Sequence, residues 1–291
     1  YTPDASAQKM RGIRNRILAV SEPIRGDINE AKYNAYFLHT ARQARNAGYD
    51  VLLLSGEDAV DDIRRVTRSN MVDGVLLLDI VEDDERVAEA GSYGKPCVAI
   101  GYPSRKGDCA CVDIDFPAAA DLAVRYLHGK GHRDVILLRD NERDYERQSG
   151  YVLTLRRLML ERAGRWACAS RSRPRTSSAG STRVLRGRLL KSLPRPTAII
   201  SQADADTLNM VTRELENRGI DIPGDISILS CGTFLKNELV AHPVTEIPLM
   251  PRLLCSKAVG LLLSAVEDGR TIGAESEFVP PESRTAARCA P

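Results

Sequence analysis

The sequence predicts an α/β protein built from two doubly wound parallel-sheet lobes. Two observations carry this. Short β-rich apolar runs alternate with helix-period segments along most of the 291 residues, the signature of βαβ units feeding a parallel sheet. After Val112–Ile114 the alternation starts afresh, so one α/β set is followed by a second.

In the first set the apolar run Ile17–Val20 leads into a helix near Ala31–Ala47, with Tyr33, Phe37, Ala41 and Ala44 on one stripe. Gly48 stands where a left-handed helix terminator belongs. Val51–Leu54, a charged helix over Asp58–Asn70, Val75–Leu78, a helix near Asp84–Ser92 and Cys97–Ile100 follow in order. The second set opens with a helix over Ala118–Gly129, striped by Ala119, Leu122, Ala123 and Tyr126 and closed by Gly129 or Gly131. Val135–Leu138, a helix over Tyr145–Ala163, Thr197–Ile200, a helix over Thr207–Arg218 and Ile226–Leu229 complete it. A last long helix, Pro251–Glu267, carries Leu254, Ala258, Leu261 and Ala265. In open parallel sheets ligands bind beyond the carboxyl ends of the strands.

Composition narrows the function. The chain is 43% hydrophobic and 27% charged with net charge +2, which argues against a wholly basic nucleic-acid binder. No apolar run reaches the ~20 residues of a membrane span, and no secretory leader opens the chain. It begins with Tyr rather than Met, so an upstream segment is expected. Seven cysteines (Cys97, Cys109, Cys111, Cys168, Cys231, Cys255, Cys289) are scattered, and Cys109-Ala110-Cys111 lacks the second ligand pair that zinc needs. Reduced thiols in a cytoplasm are the expectation, with no metal and no cofactor.

Catalysis is hard to assemble. His39 and His128 fall in helices, His132 in a turn and His242 before Pro243. None neighbours an obvious nucleophile, and neither G-x-S-x-G nor HExxH occurs. Ser55-Gly56-Glu57-Asp58 follows a strand, but its acids would repel a phosphate. The chain is therefore read as a binding protein and not an enzyme.

The first ten residues, Tyr1-Thr2-Pro3-Asp4-Ala5-Ser6-Ala7-Gln8-Lys9-Met10, suit a short helix. Pro3 fits its first turn, Asp4 its positive end, and Tyr1, Ala7 and Met10 are its apolar positions. So short a helix needs a partner to be stable in water. The pattern Tyr-x-Pro-Asp-x-x-Ala-x-x-Met resembles the hinge helix of the LacI/GalR family of transcription regulators. Four further segments resemble that family in order: Val72-Asp73-Gly74-Val75-Leu76-Leu77, Lys130-Gly131-His132-Arg133-Asp134-Val135, Pro196-Thr197-Ala198-Ile199, and Arg218-Gly219-Ile220-Asp221-Ile222-Pro223-Gly224-Asp225-Ile226-Ser227-Ile228.

The resemblance implies the type I periplasmic-binding-protein fold, with three crossovers between the lobes. It places the hinge at 1–11, an N-terminal lobe at 12–114 plus 247–268, and a C-terminal lobe at 115–246 plus 269–291. A helix-turn-helix upstream of the hinge would supply DNA binding. Met10 would be the residue wedged into the minor groove, with Tyr1, Pro3 and Ala7 shaping the hinge. The intact protein would be a homodimer on operator DNA, controlled by a small-molecule effector such as a sugar or related metabolite, with no membrane role. Arg147, in Arg147-Gln148-Ser149-Gly150-Tyr151, matches the family's effector-reaching arginine, whose fixed fork of donors suits hydroxyl pairs or carboxylates. Strand ends add Asp79, Tyr102, Phe116, Gln202 and Glu22 as effector-site candidates, and Asp79 is equally a candidate helix cap.

Departures matter too. Gly101-Tyr102 stands where the family often has Asp-Arg, Ala203-Asp204 replaces Asn-Asp, and Ser230-Cys231-Gly232-Thr233 replaces G-(F/Y)-D-(D/N). Several polar anchors for a sugar or purine are thus missing, so the effector is atypical or the pocket impaired. Asp204 is expected to cap the next helix.

From Arg162 to Ala203 the chain has no Asp or Glu and is rich in Arg, Ser and Pro. It reads as a phosphate-gripping run, a solvated insertion, or out-of-frame sequence over 162–190. The third is preferred, and Ser283–Pro291 has a similar character. Two rivals to the regulator remain: a periplasmic sugar-binding component of a transporter, and a sugar-modifying α/β enzyme.

Overall fold

The computed structural model describes residues 14–26, 29–139, 142–167, 175–177, 196–235, 239–242, 244–270 and 272–285. Tyr1, Pro3, Ala7 and Met10 lie outside the described residues, as do most of the basic segment and the end of the tail. The chain divides into two compact units, residues 1–113 with 251–277 and residues 114–250 with 278–291, so it passes between them three times.

The first unit is a parallel sheet. β1 (Ile17–Ser21) lies between β2 (Asp50–Leu54) and β3 (Gly74–Leu77), followed outward by β4 (Cys97–Ile100), β5 (Ala110–Ile114) and β11 (Ser276–Val279). The strands are near-continuous Val, Leu, Ile and Ala because helices cover both faces, which is the pattern of a buried parallel sheet. Leu18, Ala19, Val20, Val75, Leu76 and Leu77 are all fully buried. Register follows directly, Leu18 facing Val51 on one side and Gly74 on the other.

α1 (Glu30–Asn46) is capped by Asn29, whose side chain accepts from Lys32 N at 3.0 Å. α2 (Ala59–Arg68) buries Ile63 and Val66. The long α8 (Pro251–Asp268) packs against α1, β3 and β4, burying Leu254, Ala258, Leu262 and Ala265. Gly74 permits this approach, because a Cβ there would sit 2.9 Å from Leu262 Cδ1.

At the start of the described chain, Asp73 accepts from Asn15 N at 3.2 Å and from Arg16 N at 2.7 Å. The segment entering β1 is thus clasped to the turn before β3.

The second unit repeats the plan. Its order is β10 (Thr245–Pro248), β9 (Ser227–Thr233), β8 (Ala198–Ser201), β6 (Val135–Leu138), β7 (Arg175–Ser177), with every neighbouring pair parallel. α4 (Phe116–Gly129) starts on Asp115, whose carboxylate accepts from Ala118 N. α7 (Ala205–Glu216) is capped by Asp204, which accepts from Thr207 N at 2.8 Å, as its sequence position predicts.

The structure departs from the sequence reading in several places. The helix expected over Tyr145–Ala163 is broken in two, α5 (Glu142–Glu146) and α6 (Gly150–Ala167). Between them Gln148 takes φ 58°, and Ser149 N donates back to the Asp144 carbonyl at 2.9 Å, which ends the first helix before Gly150 begins the second. The helix expected near Asp84–Ser92 is a single turn, α3 (Glu85–Ala88), followed by a 3₁₀ turn over Ala90–Tyr93. The basic segment, read as aperiodic, contributes β7, because strand pairing uses backbone groups and asks nothing of side-chain period.

Gly101, just past β4, has φ 133°, and a Cβ there would lie 2.6 Å from Ile80 Cβ. Gly101→Ala therefore forces both a strained backbone and an overlap with a buried side chain. A loss of about 1–3 kcal/mol in urea unfolding is expected, and an unchanged midpoint would refute the close contact.

Candidate functional site

Each unit has a doubly wound strand order that reverses beside its first strand, and loops diverge there to leave a crevice at the carboxyl ends. In the first unit the reversal falls between β1 and β3. Glu22 follows β1, and Asp79 follows β3. In the second unit it falls between β6 and β8, where Arg139 and Gln202 are the residues just past the strands.

The first unit's strand ends are held by Arg86 on α3. Its buried guanidinium donates to the Ser21 carbonyl at 3.1 Å, the Leu78 carbonyl at 3.0 Å and the Asp79 carbonyl at 3.2 Å, and it pairs with Asp84 at 2.7 Å. Burial works against that charge, but the bonds to Asp84 outweigh it and hold Arg86 above its ordinary pKa.

Glu22 is buried, and its Oε2 meets no hydrogen-bond partner among the described residues. Burial first, and then the neighbouring Asp79 carboxylate, push its pKa up to about 8, against the pull of Arg86 and Lys32. At neutral pH it is a carboxylic acid that can both donate and accept. Asp79 sits at φ 52° and pairs with Arg25 at 2.8 Å, so it is not the helix cap that its position allowed. Tyr33 on α1 turns its hydroxyl into the same region, where burial and Glu22 raise its pKa. Tyr102 is more exposed, with the Lys106 ammonium 4.4 Å above its ring.

In the second unit the sites converge on Tyr145 of α5. Its hydroxyl donates to Gln202 Oε1 at 2.9 Å, and the guanidinium groups of Arg139 and Arg156 lie 4.8 Å and 6.0 Å from its ring. Gln202 is 2% exposed, and its Nε2 is buried with no acceptor among the described residues. Arg147 is largely buried and pairs with Asp144. Phe116 is closed off in the first turn of α4 and offers little surface.

Of the six residues expected at the effector site, Glu22 and Asp79 are brought together in the first unit. Gln202 stands just past β8 in the second unit, and Arg147 lies in the turn after α5, paired with Asp144. Arg139, Arg156 and Tyr145 were not singled out in the sequence. A polar residue directly after an apolar strand, as in Leu138-Arg139, was the available signal for one of them. The ring contacts of the other two depend on the helix break.

The periplasmic binding protein-like domain matches residues 124–285, more than half of the chain. The chain belongs to this family. Within it the chain resembles LacI-type regulators. It is 20% identical over 274 residues to the HTH-type transcriptional repressor PurR of Glaesserella parasuis, covering 92% of this chain and 78% of that protein. A LacI family transcriptional regulator from Bifidobacterium animalis superposes with TM-score 0.77 at 21% identity, over 96% of this chain and 99% of that one. A regulatory protein of the LacI family from Chloroflexus aggregans gives TM-score 0.74 at 25% identity, over 92% and 96%. Among the described residues no helix is long and apolar enough to cross a membrane.

In this core Glu22 makes folding pH-dependent. The folded chain holds the Glu22 proton up to about pH 8, and the unfolded chain only to near 4.5. The folded state therefore carries the extra proton across that window, and this contribution to stability falls as pH rises through it. Glu22→Gln keeps the shape and removes the titration. Urea unfolding of the variant should lose less stability between about pH 5 and pH 8 than the wild type. Parallel curves would show that Glu22 ionises normally.

Proposed function

We propose that this chain is the effector-binding and dimerising core of a DNA-binding transcriptional regulator, a repressor acting in the cytoplasm, and that it binds and does not catalyse. The observation that carries the reading is the pair of reversal points, each presenting hydrogen-bonding side chains just past parallel strands, in a chain of LacI/GalR type. A small metabolite, a sugar or a relative of one, is the effector. Glu22, Asp79, Arg147 and Gln202 are its candidate contacts, with Tyr102 and Phe116 as lesser ones. Operator DNA is read by a helix-turn-helix upstream of residue 1, and Tyr1–Met10 form the hinge, with Met10 as its wedge.

The alternative, a periplasmic component of a transporter, uses the same fold but has no need of the hinge pattern in Tyr1–Met10. The PurR likeness also favours the regulator.

A thermal-shift screen of sugars, sugar phosphates and nucleobases tests the effector role. A compound present at a hundredfold its Kd stabilises the chain by about 2.7 kcal/mol. Asp79→Ala or Arg147→Ala should abolish the shift, and a screen in which no compound moves Tm would sink the effector role.

The hinge is tested in the full-length dimer. Met10→Gly should weaken specific operator binding far more than nonspecific binding, because a wedge acts on a positioned base step while nonspecific affinity comes from phosphate contacts. Equal losses in gel-shift titrations would remove Met10 from that role.

A further inference from the structure

We infer that the first unit takes a neutral hydroxyl group of the effector between Glu22 and Tyr33 and binds it through the protonated form of Glu22, so that the effector is held less tightly once that proton leaves. The inference rests on the effector-binding reading above and adds the group that is met and how its binding is regulated.

Two unmatched groups carry it. Glu22 follows β1, where its backbone N–H donates to the Leu54 carbonyl at 3.0 Å, so its side chain starts from a fixed point. The residue is 4% exposed, and Oε2 has no hydrogen-bond partner among the described residues. The Tyr33 hydroxyl on α1 is likewise buried without one, its ring stacked on Phe37 with centroids 6.3 Å apart. The charge of Glu22 reaches this phenol, yet the two groups do not bond to each other, so a gap separates them. Buried polar atoms are nearly always matched, and the carboxyl end of a parallel strand is where a ligand completes the matching.

Hydrogen-bond chemistry names the group. A protonated carboxyl donates and accepts, and so does a phenol. A hydroxyl does both as well, and answers the two at once. A carboxylate or phosphate brings no hydrogen and would stand beside Asp79.

The surroundings set when the proton leaves. Among the described residues, the charged and titratable groups facing Glu22 are Asp79 after β3, Arg86 of α3 with its partner Asp84, Lys32, Tyr33 and Tyr36 of α1, and Cys255 of α8. Arg25, in the loop after β1, pairs with Asp79 at 2.8 Å. Burial and Asp79 favour the acid, Arg86 and Lys32 the carboxylate, and the balance falls at about pH 8. Burial pushes Tyr33, Tyr36 and Cys255 upward, so Glu22 loses its proton before they do.

Isothermal titration with glucose, ribose and xylose at pH 6, 7, 8 and 9 tests the proposal. At least one sugar should bind at pH 6 and 7, and its Kd should be about tenfold weaker at pH 9 than at pH 7, the ratio for one required proton. Titration at pH 9 in buffers of different ionisation heat should show uptake of about one proton per sugar bound. Glu22→Gln should give a level pH profile and take up no proton. Tyr33→Phe should weaken binding at every pH and keep the slope. Urea midpoints show which variants fold. Should Glu22→Gln fail to fold or bind, carbon-13 NMR of the glutamate carboxyls decides on the wild type. One carboxyl titrating near pH 8, and moved upward by the bound sugar, supports the proposal, and the lack of one refutes it.

A slope that survives in Glu22→Gln, a wild-type affinity that is level or rises with pH, or no binding by any of the three sugars would each overturn the role of Glu22. The effector reading is judged separately by the wider screen. A compound that raises Tm there leaves that reading standing, and a blank screen removes it.

Discussion

A guanidinium buried at the carboxyl ends of β1 and β3 is the constraint on which the first unit's site depends. Three carbonyls gather at these strand ends, those of Ser21, Leu78 and Asp79, and Ser21 already accepts from Leu78 N at 3.0 Å. Arg86 supplies donors to all three, and Asp84 balances its charge while also capping the turn that carries it, accepting from Arg86 N at 3.1 Å. Such a pair adds little net stability over an apolar replacement, but losing one partner strands the other. It fixes where the chain emerges after β1 and β3, and hence where Glu22 and Asp79 stand.

The two reversal points show how one strand plan takes on different chemistry through the first side chains beyond its strands. In the first unit two carboxyl groups lie close enough for Asp79 to help keep Glu22 protonated, so the pair offers both donors and acceptors. In the second unit arginines and an amide converge on Tyr145. The folds match because the apolar runs match. The chemistry differs because residues past a strand end are free of the packing that fixes the strand itself.

The same separation governs what could be read from the sequence. The buried strands were legible because parallel sheets covered on both faces demand continuous β-branched and aliphatic runs, as in Gly74–Leu77 and Cys97–Ile100. Asp204 was legible as a cap because its position before an apolar-striped helix has one cheap use for a short acceptor. The four family-like segments were legible by pattern. The break at Gln148 was not, since it turns on one residue entering the left-handed region and on Ser149 bonding back to Asp144. The approach of Arg139 and Arg156 to the Tyr145 ring was hidden for that reason, because it depends on where the broken helix sets that ring. β7 was missed because its pairing leaves no mark on side-chain order.

The clasp of Asp73 on the amides of Asn15 and Arg16 has a mechanical meaning. A leash with slack reports only that its two ends are near each other, whereas a clamped one carries orientation as well. Because the clamp lies in the first unit, the backbone at Asn15 and Arg16 holds a fixed direction relative to that unit's sheet.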